Sequence, residues 1–272
     1  MRISCVILSF NSARFIDKCV RSLATALHKT AEPDEAWVVE NGSRDGSADL
    51  LRGLEKEFPW LHVLYMDHNT GTTVSRNMAL RKATGRYLLV LDSDAYVPEG
   101  TVEPLLARLD RDPDCGLVVP RLMYPSGNLQ LSTDVFPTVV RKAERFLALK
   151  KLEAKNHAAA WPTEPSIVDY AISAFWLFRR DVLDKVGYLD EKIFYSPEDV
   201  DYCLRIWEAG YKIVYDPAVH AVHDAQEISR GFPLKLITLS HARGLGYLFW
   251  KHRYALGHGD LYKRLKRHEH TL

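Results

Sequence analysis

The sequence predicts an α/β protein built on a doubly wound, mostly parallel sheet with a helical extension at its carboxyl end. Three observations carry that prediction. Strand-like and helix-like apolar patterns alternate four times in the first 110 residues, joined by short connections. The run from Tyr87 to Leu91 is apolar without interruption, as a strand buried on both faces should be. The 272 residues, 47% hydrophobic and 26% charged, are enough to bury one large core.

The first strand runs from Arg2 to Leu8 and turns at Ser9-Phe10-Asn11-Ser12. Ala13 to Leu27 follows as a helix, with Phe15/Ile16, Cys19/Val20, Leu23 and Leu27 at helical spacing. Glu35 to Val39 is the second strand, closed by a polar turn from Glu40 to Ser47, and Ala48 to Phe58 is helical. Leu61 to Met66 is the third strand, and Asn69-Thr70-Gly71 opens a helix through Lys82 that Gly85 breaks. After the central strand, Pro98 suits the first turn of a helix to about Leu109. Val168 to Phe178 reads as one long apolar strand, and Arg179 to Val186 as a short helix closed by Gly187. Pro197 then suits the first helical position of a segment whose stripe is Val200, Cys203, Leu204 and Trp207, ended by Gly210.

Composition narrows the function. No apolar run reaches the roughly 18 residues of a membrane span, and the amino terminus runs into a strand with no cleavable signal pattern, so a cytoplasmic location is expected. Cys5, Cys19, Cys115 and Cys203 lack any Cys-x-x-Cys spacing and are expected as buried thiols, not a zinc site. The net charge of +1 hides an asymmetry: from Arg230 onward nine Lys/Arg face two Asp/Glu, a net of +7, leaving −6 for the rest. No nucleic-acid partner is expected. No Gly-x-Gly-x-x-Gly follows the first strand, which removes the dinucleotide fingerprint.

The chemistry concentrates where the central strand ends. Asp92 and Asp94 emerge at its carboxyl end with Ser93 between them, the place where open α/β sheets bind ligands. Hard oxygen ligands suit Mg²⁺ or Mn²⁺, and such an ion would hold a substrate diphosphate. The loops at 9–12, 40–47 and 69–72 also follow strand ends and should converge on the same crevice.

Val-Val-Glu-Asn-Gly-Ser-Arg-Asp-Gly-Ser, Asn69-x-Gly71 with Ser75-Arg76-Asn77, Leu-Asp-Ser-Asp, Pro120-Arg121-Leu122, Ala174 to Arg180, Glu198-Asp199-Val200-Asp201 and the His223 segment occur in one order. Together they resemble glycosyltransferase family 2, in its rhamnosyltransferase-like branch, over nearly the whole chain except Thr138 to Pro165. The resemblance implies the Rossmann-like GT-A fold over residues 1–230, with 1–115 the nucleotide-binding half and 116–230 the acceptor and catalytic half. It implies an inverting, metal-dependent transferase. The donor would be a UDP- or dTDP-sugar and the acceptor a hydroxyl of a glycan or lipid-linked acceptor, in cell-surface polysaccharide synthesis. On the same basis Ser9 and Asn11 line the nucleoside pocket, Glu40 accepts a hydrogen bond from the base, and Arg76 lies near base or phosphate. Asp92 and Ser93 sit on the ribose side, Asp94 ligates Mn²⁺ or Mg²⁺, and His223 is the third protein ligand. Glu40 stands where the family usually has Asp. A catalytically silent nucleotide-sugar-binding partner and a sugar-nucleotide nucleotidyltransferase remain as alternatives; the latter would need a Gly-rich, basic loop that 9–12 lacks.

Three residue-level alternatives stay open. Asp199 is either the general base, with Glu198 or Asp201 in reserve, or one arm of a Ser196-x-x-Asp199 capping box; Asp201 sits four residues before Arg205 and suits a pair with it. The basic amphipathic portion from Arg141 to Lys155 is either a surface helix or an acceptor-side flap. Residues 231–272 form either a basic amphipathic segment that docks peripherally on an anionic membrane or a set of helices packed on the core. Gly244, Gly246, Gly257 and Gly259 argue against one long helix there.

Overall fold

The computed structural model describes residues 1–27, 32–141, 162–225 and 234–267, with the backbone alone for 234–240. Its first half follows the alternation in the sequence. Strands β1 (Ile3–Ser9), β2 (Glu35–Glu40), β3 (Leu61–Tyr65) and β4 (Tyr87–Asp92) are linked by helices α1 (Ile16–Ala26), α2 (Ser47–Glu57) and α3 (Thr72–Lys82). All four strands are parallel, in the order β3-β2-β1-β4. Ile3, Val6, Ile7, Leu88, Leu89 and Leu91 are fully or nearly fully buried, as strands covered on both faces require.

The second half departs from a purely parallel sheet. After β5 (Ala95–Tyr96), α4 (Val102–Arg111) and β6 (Cys115–Met123), the segment expected as one strand from Val168 to Phe178 divides into β8 (Ser166–Val168), β9 (Tyr170–Ala171) and β10 (Phe175–Arg179). Asp169 explains the break: it is buried between them, accepting a hydrogen bond from Phe136 N and holding Arg267. Its partner in the small second sheet is β7 (Thr133–Asp134), which pairs with β9. Strand β10 runs antiparallel between β4 and β6, and β11 (Lys212–His223) continues the sheet parallel to β6. The result is a nine-stranded mixed sheet among the described residues. Pro98 belongs to a turn, its carbonyl accepting from Thr101 N, and α4 starts after that turn, at Val102, later than the position of Pro98 suggested.

Two apolar layers cover the sheet. One holds α1, α2 and α4; the other holds α3, α5 (Arg180–Val186), α6 (Glu198–Glu208) and the carboxyl-terminal helices α7 (Leu234–His252) and α8 (Gly259–Arg264). Cys5, Cys19 and Cys115 lie in the first layer and Cys203 in the second, all buried free thiols. Leu248, Leu261 and Leu265 are buried in the second layer, and Arg267 reaches Asp169, so the carboxyl-terminal region completes the core. Leu245, Leu248 and Phe249 pack inward, while Trp250 and Leu256 remain exposed. Helix α7 is continuous through Gly244 and Gly246. Tertiary packing outweighs the weak helix propensity of the two glycines. No helix among the described residues is long and apolar enough to cross a membrane. The stretch Arg141 to Lys155, past its first residue, and the boundary at residue 230 lie outside the described residues.

Candidate active site

Strand register gathers the first set of predicted residues. Ser9 is paired with Glu40 across β1 and β2, and Leu8 with Asp92 across β1 and β4, so three strand ends present Ser9, Glu40 and Asp92 side by side. Ser9 Oγ lies 2.6 Å from Ser12 Oγ, and Glu40 accepts the amide of Ser43 at 2.8 Å, which ties the 40–47 loop to its strand. Asn11 sits at φ 49°, in the left-handed region that Asn tolerates, and its side-chain oxygen accepts the amide of Arg44 at 3.0 Å. Asn41 bridges to the third loop, accepting from Thr70 N at 2.9 Å and donating to Asn69 at 2.9 Å. The three loops enclose a cavity of about 280 Å³ that Asn11, Arg44, Asp67 and His68 help to line. Gly42, at φ 74°, lets two of these loops touch: a Cβ there would fall 2.6 Å from the His68 backbone.

A second register brings the acids to the histidine. Ala95 is paired with His223 across β5 and β11, one residue past Asp94. His223 Nε2 is 3.3 Å from Asp94 Oδ1 and 3.8 Å from Asp92 Oδ2, and one ligand atom from each residue falls within 4.8 Å of the others. The other ring nitrogen, Nδ1, is 2.9 Å from Gln130 Oε1, an acceptor. With Nδ1 turned to Gln130, Nε2 is the ring nitrogen that faces the acids; with no cation bound it shares a proton with Asp94, and loss of that proton frees its lone pair for a metal. Burial lowers the His223 pKa, but the hydrogen bond to Asp94 and the charges of Asp92, Asp94 and Asp224 outweigh it and hold it above its ordinary value. Burial and Asp94 push the Asp92 carboxyl up against the opposing pull of Arg76. Two carboxylates and an imidazole crowded under this strain fit a divalent cation by donor type and spacing.

Arg76 turns the strand-end site into part of a larger one. It is buried: one guanidinium nitrogen bonds Asp92, while the other bonds Ser173 Oγ at 2.7 Å and Glu198 Oε1 at 3.3 Å. Ser173 Oγ also donates to Glu198 at 3.1 Å. Burial, followed by the charge of Asp199, pushes the Glu198 carboxyl up to about 8 even with Arg76 opposing. The shift favours the protonated acid. Asp199, half-buried in the first turn of α6, accepts the amide of Val200 at 2.8 Å. The capping box does not form. Helix α6 has no side-chain cap hydrogen bond, Pro197 is its N-cap residue, and Ser196 Oγ instead meets His241 Nδ1 at 3.1 Å. Asp201 pairs with Arg205 at 3.0 Å as its spacing suggested, and also with Lys251 at 2.6 Å and His252 at 2.8 Å.

The loop before α6 adds a residue that the motifs did not flag. Tyr195 is half exposed, and burial of its hydroxyl with the charges of Glu198, Asp92 and Asp199 raises its pKa. Phe194 is exposed beside it, and Phe194 O accepts from Thr72 N at 2.7 Å. Gln130, Ser173 and Tyr195 are the functional-site residues that spacing missed; only Tyr195, an aromatic just ahead of Ser-Pro-Glu-Asp, carried a usable signal. A larger cavity, about 400 Å³ and bounded by Lys18, Arg121 and His220, contains none of the predicted site residues.

The family described as Glycosyl transferase family 2 matches residues 4–187. The N-acetylglucosaminyl-diphospho-decaprenol L-rhamnosyltransferase of Mycobacterium tuberculosis is 25% identical over 267 residues, covering 91% of this chain and 84% of that protein. The pre-mycofactocin glycosyltransferase of the same organism is 32% identical over 164 residues, covering 60% of this chain; the aligned region is about a third (32%) of that relative's length. Among solved structures, the mannosyltransferase PcManGT from Pyrobaculum calidifontis, in complex with GDP-Man and Mn²⁺, superposes with a TM-score of 0.65 at 21% identity, over 98% of this chain and 68% of that one.

Proposed function

The chain belongs to glycosyl transferase family 2, and from that premise we propose that it moves a hexosyl or deoxyhexosyl group, with inversion, from a UDP- or dTDP-sugar to a hydroxyl of a glycan or lipid-linked acceptor in cell-surface polysaccharide synthesis. The observation that carries this reading is the Arg76 bridge, which joins Asp92 of the strand-end acids to Glu198 of the acidic helix. A donor gripped at one end of that bridge lies within reach of a base at the other.

Asp94 and His223, with Asp92 beside them, would hold Mn²⁺ or Mg²⁺, and the mixed imidazole and carboxylate set favours Mn²⁺. The cation, when bound, neutralises charge on the departing diphosphate. Ser9, Asn11 and Glu40 line the nucleoside side, Asp92 and Ser93 the ribose side. Asp199 takes the acceptor hydroxyl's proton as that oxygen attacks the anomeric carbon opposite the diphosphate. Glu198 is engaged by Arg76 and Ser173, which leaves Asp199 the better placed base. Tyr195 offers an exposed ring against which a sugar can lie.

The test is a thermal-shift screen of UDP-, dTDP- and GDP-sugars with Mn²⁺, then with EDTA, followed by assay of donor turnover. A donor at 100 times its dissociation constant stabilises by about 2.7 kcal/mol. Stabilisation without donor hydrolysis or transfer would identify a silent binding protein and reject the enzyme.

A further inference from the structure

Helix α7 approaches the entrance of the acidic helix at backbone distance. A Cβ placed on Gly244 would lie closer than 3.0 Å to the Ser196 carbonyl oxygen and 2.9 Å from Pro197 Cδ, where ordinary contact begins at 3.4 Å. Gly246, two residues on in the same helix, would meet nothing within 4 Å. In the sequence the two glycines look alike, both poor helix formers. Contact geometry separates them.

The rest of α7 grips the same region. His241 meets Ser196, while Lys251 reaches Asp190 at 2.6 Å in the preceding loop and Asp201 at 2.6 Å in α6. One helix therefore holds both the loop that carries Tyr195 and the turn that carries Glu198 and Asp199.

We infer that Gly244 is a positioning residue of the active site. Lacking a side chain, it lets α7 seat directly on Ser196 and Pro197 and so sets where Asp199 stands over the donor. The role assigned to Asp199 rests on the proposed function; the seating does not.

The experiment compares Gly244→Ala with Gly246→Ala in the full chain. A methyl group at 244 must push the loop outward by several tenths of an ångström or more, and a displacement near 1 Å can cost on the order of 100-fold in rate. Turnover of the donor found by screening should fall roughly 10- to 100-fold in Gly244→Ala, with UDP affinity in Mn²⁺ within about twofold of wild type. Gly246→Ala should leave both unchanged. Amide hydrogen exchange over residues 193–201 should quicken in Gly244→Ala alone. If Gly244→Ala does not fold, Lys251→Met releases the loop without adding bulk, and Lys251→Arg should restore turnover. The inference is overturned if the two glycine variants behave alike in exchange and turnover, or if UDP affinity falls in step with turnover. With Gly244→Ala unfolded, unchanged exchange in Lys251→Met overturns it. Should wild type itself turn over no donor, the proposed function fails, and the exchange contrast still decides the seating.

Discussion

The two ends of the Arg76 bridge are built in different ways. At one end, Asp92 closes the buried strand β4 and Asp94 sits in the two-residue turn before β5, and their positions follow from register with β1 and β11. At the other, Glu198 and Asp199 open a helix that its own sequence does not cap and that partners from distant segments hold in place. A site assembled from strand ends is rigid because the sheet is rigid, whereas a site at a helix entrance depends on what packs against it. Donor binding should therefore tolerate changes around α6, and turnover should not.

The largest effect expected is at the strand end. Asp94→Ala should abolish Mn²⁺-dependent UDP binding by calorimetry while circular dichroism stays unchanged; wild-type affinity in EDTA would remove the metal from this corner. Next is Asp199→Asn, which should lower turnover by about 10²- to 10⁴-fold, the usual range for a general base, with UDP affinity retained. Its neighbour sharpens the contrast. Glu198→Gln, which keeps an acceptor oxygen for Arg76 and Ser173, should stay within about tenfold of wild type, and a loss as large as that of Asp199→Asn would exchange the two roles.

A smaller loss should follow at Gln130. Gln130→Leu leaves the His223 tautomer unfixed and should weaken Mn²⁺ binding by about 10- to 100-fold, measured by competition with a fluorescent chelator; unchanged affinity would reduce the contact to packing. The smallest effect is on stability against pH. Burial lowers the His252 pKa, but hydrogen bonds to Asp201 and Glu208 hold it above its ordinary value. A raised folded-state pKa gives stability that is complete below about 6.5 and lost as pH rises through the folded value. The raised Glu198 carboxyl acts in the same direction between about 4.5 and about 8, since unfolding would release its proton. The melting temperature should thus decline from pH 6 to pH 8, less steeply in His252→Gln. An unchanged slope would show that His252 does not link α7 to α6 electrostatically.

The same division decides what the sequence made legible. The first four strands and their helices appear as local periodicity, and the acids at the end of β4 follow from where an apolar run stops. Loops that leave neighbouring parallel strands on the same edge must converge, which is why Ser9, Glu40 and Asp92 could be grouped before their register was known. The other end of the bridge depends on contacts that no local pattern encodes. Gln130 reaches His223 across 93 positions, and Arg76 reaches Ser173 across 97. Arg76, which the family resemblance puts near base or phosphate, is tied to Asp92 and Glu198, a pairing that no local pattern encodes. Asp169, which separates β8 from β9 in an apolar run, is no clearer locally, since a single acid in such a run is also compatible with an exposed edge. Membrane docking was weighed on charge and amphipathicity, yet the apolar side of α7 from Leu245 to Phe249 faces the core.

The four buried cysteines give the molecule an internal clock. Burial raises all four thiols, Cys115 to about 12 and Cys5, Cys19 and Cys203 beyond the reactive range, so an alkylating reagent at pH 8 meets almost no thiolate while the protein is closed. Labelling then proceeds only through opening. Three of the thiols time the layer over α1, α2 and α4, while Cys203 alone times the layer shared by α6 and α7. Mass spectrometry of single-label products can thus report how often the helix carrying Asp199 lifts from the sheet relative to the opposite face, with no probe introduced into the chain.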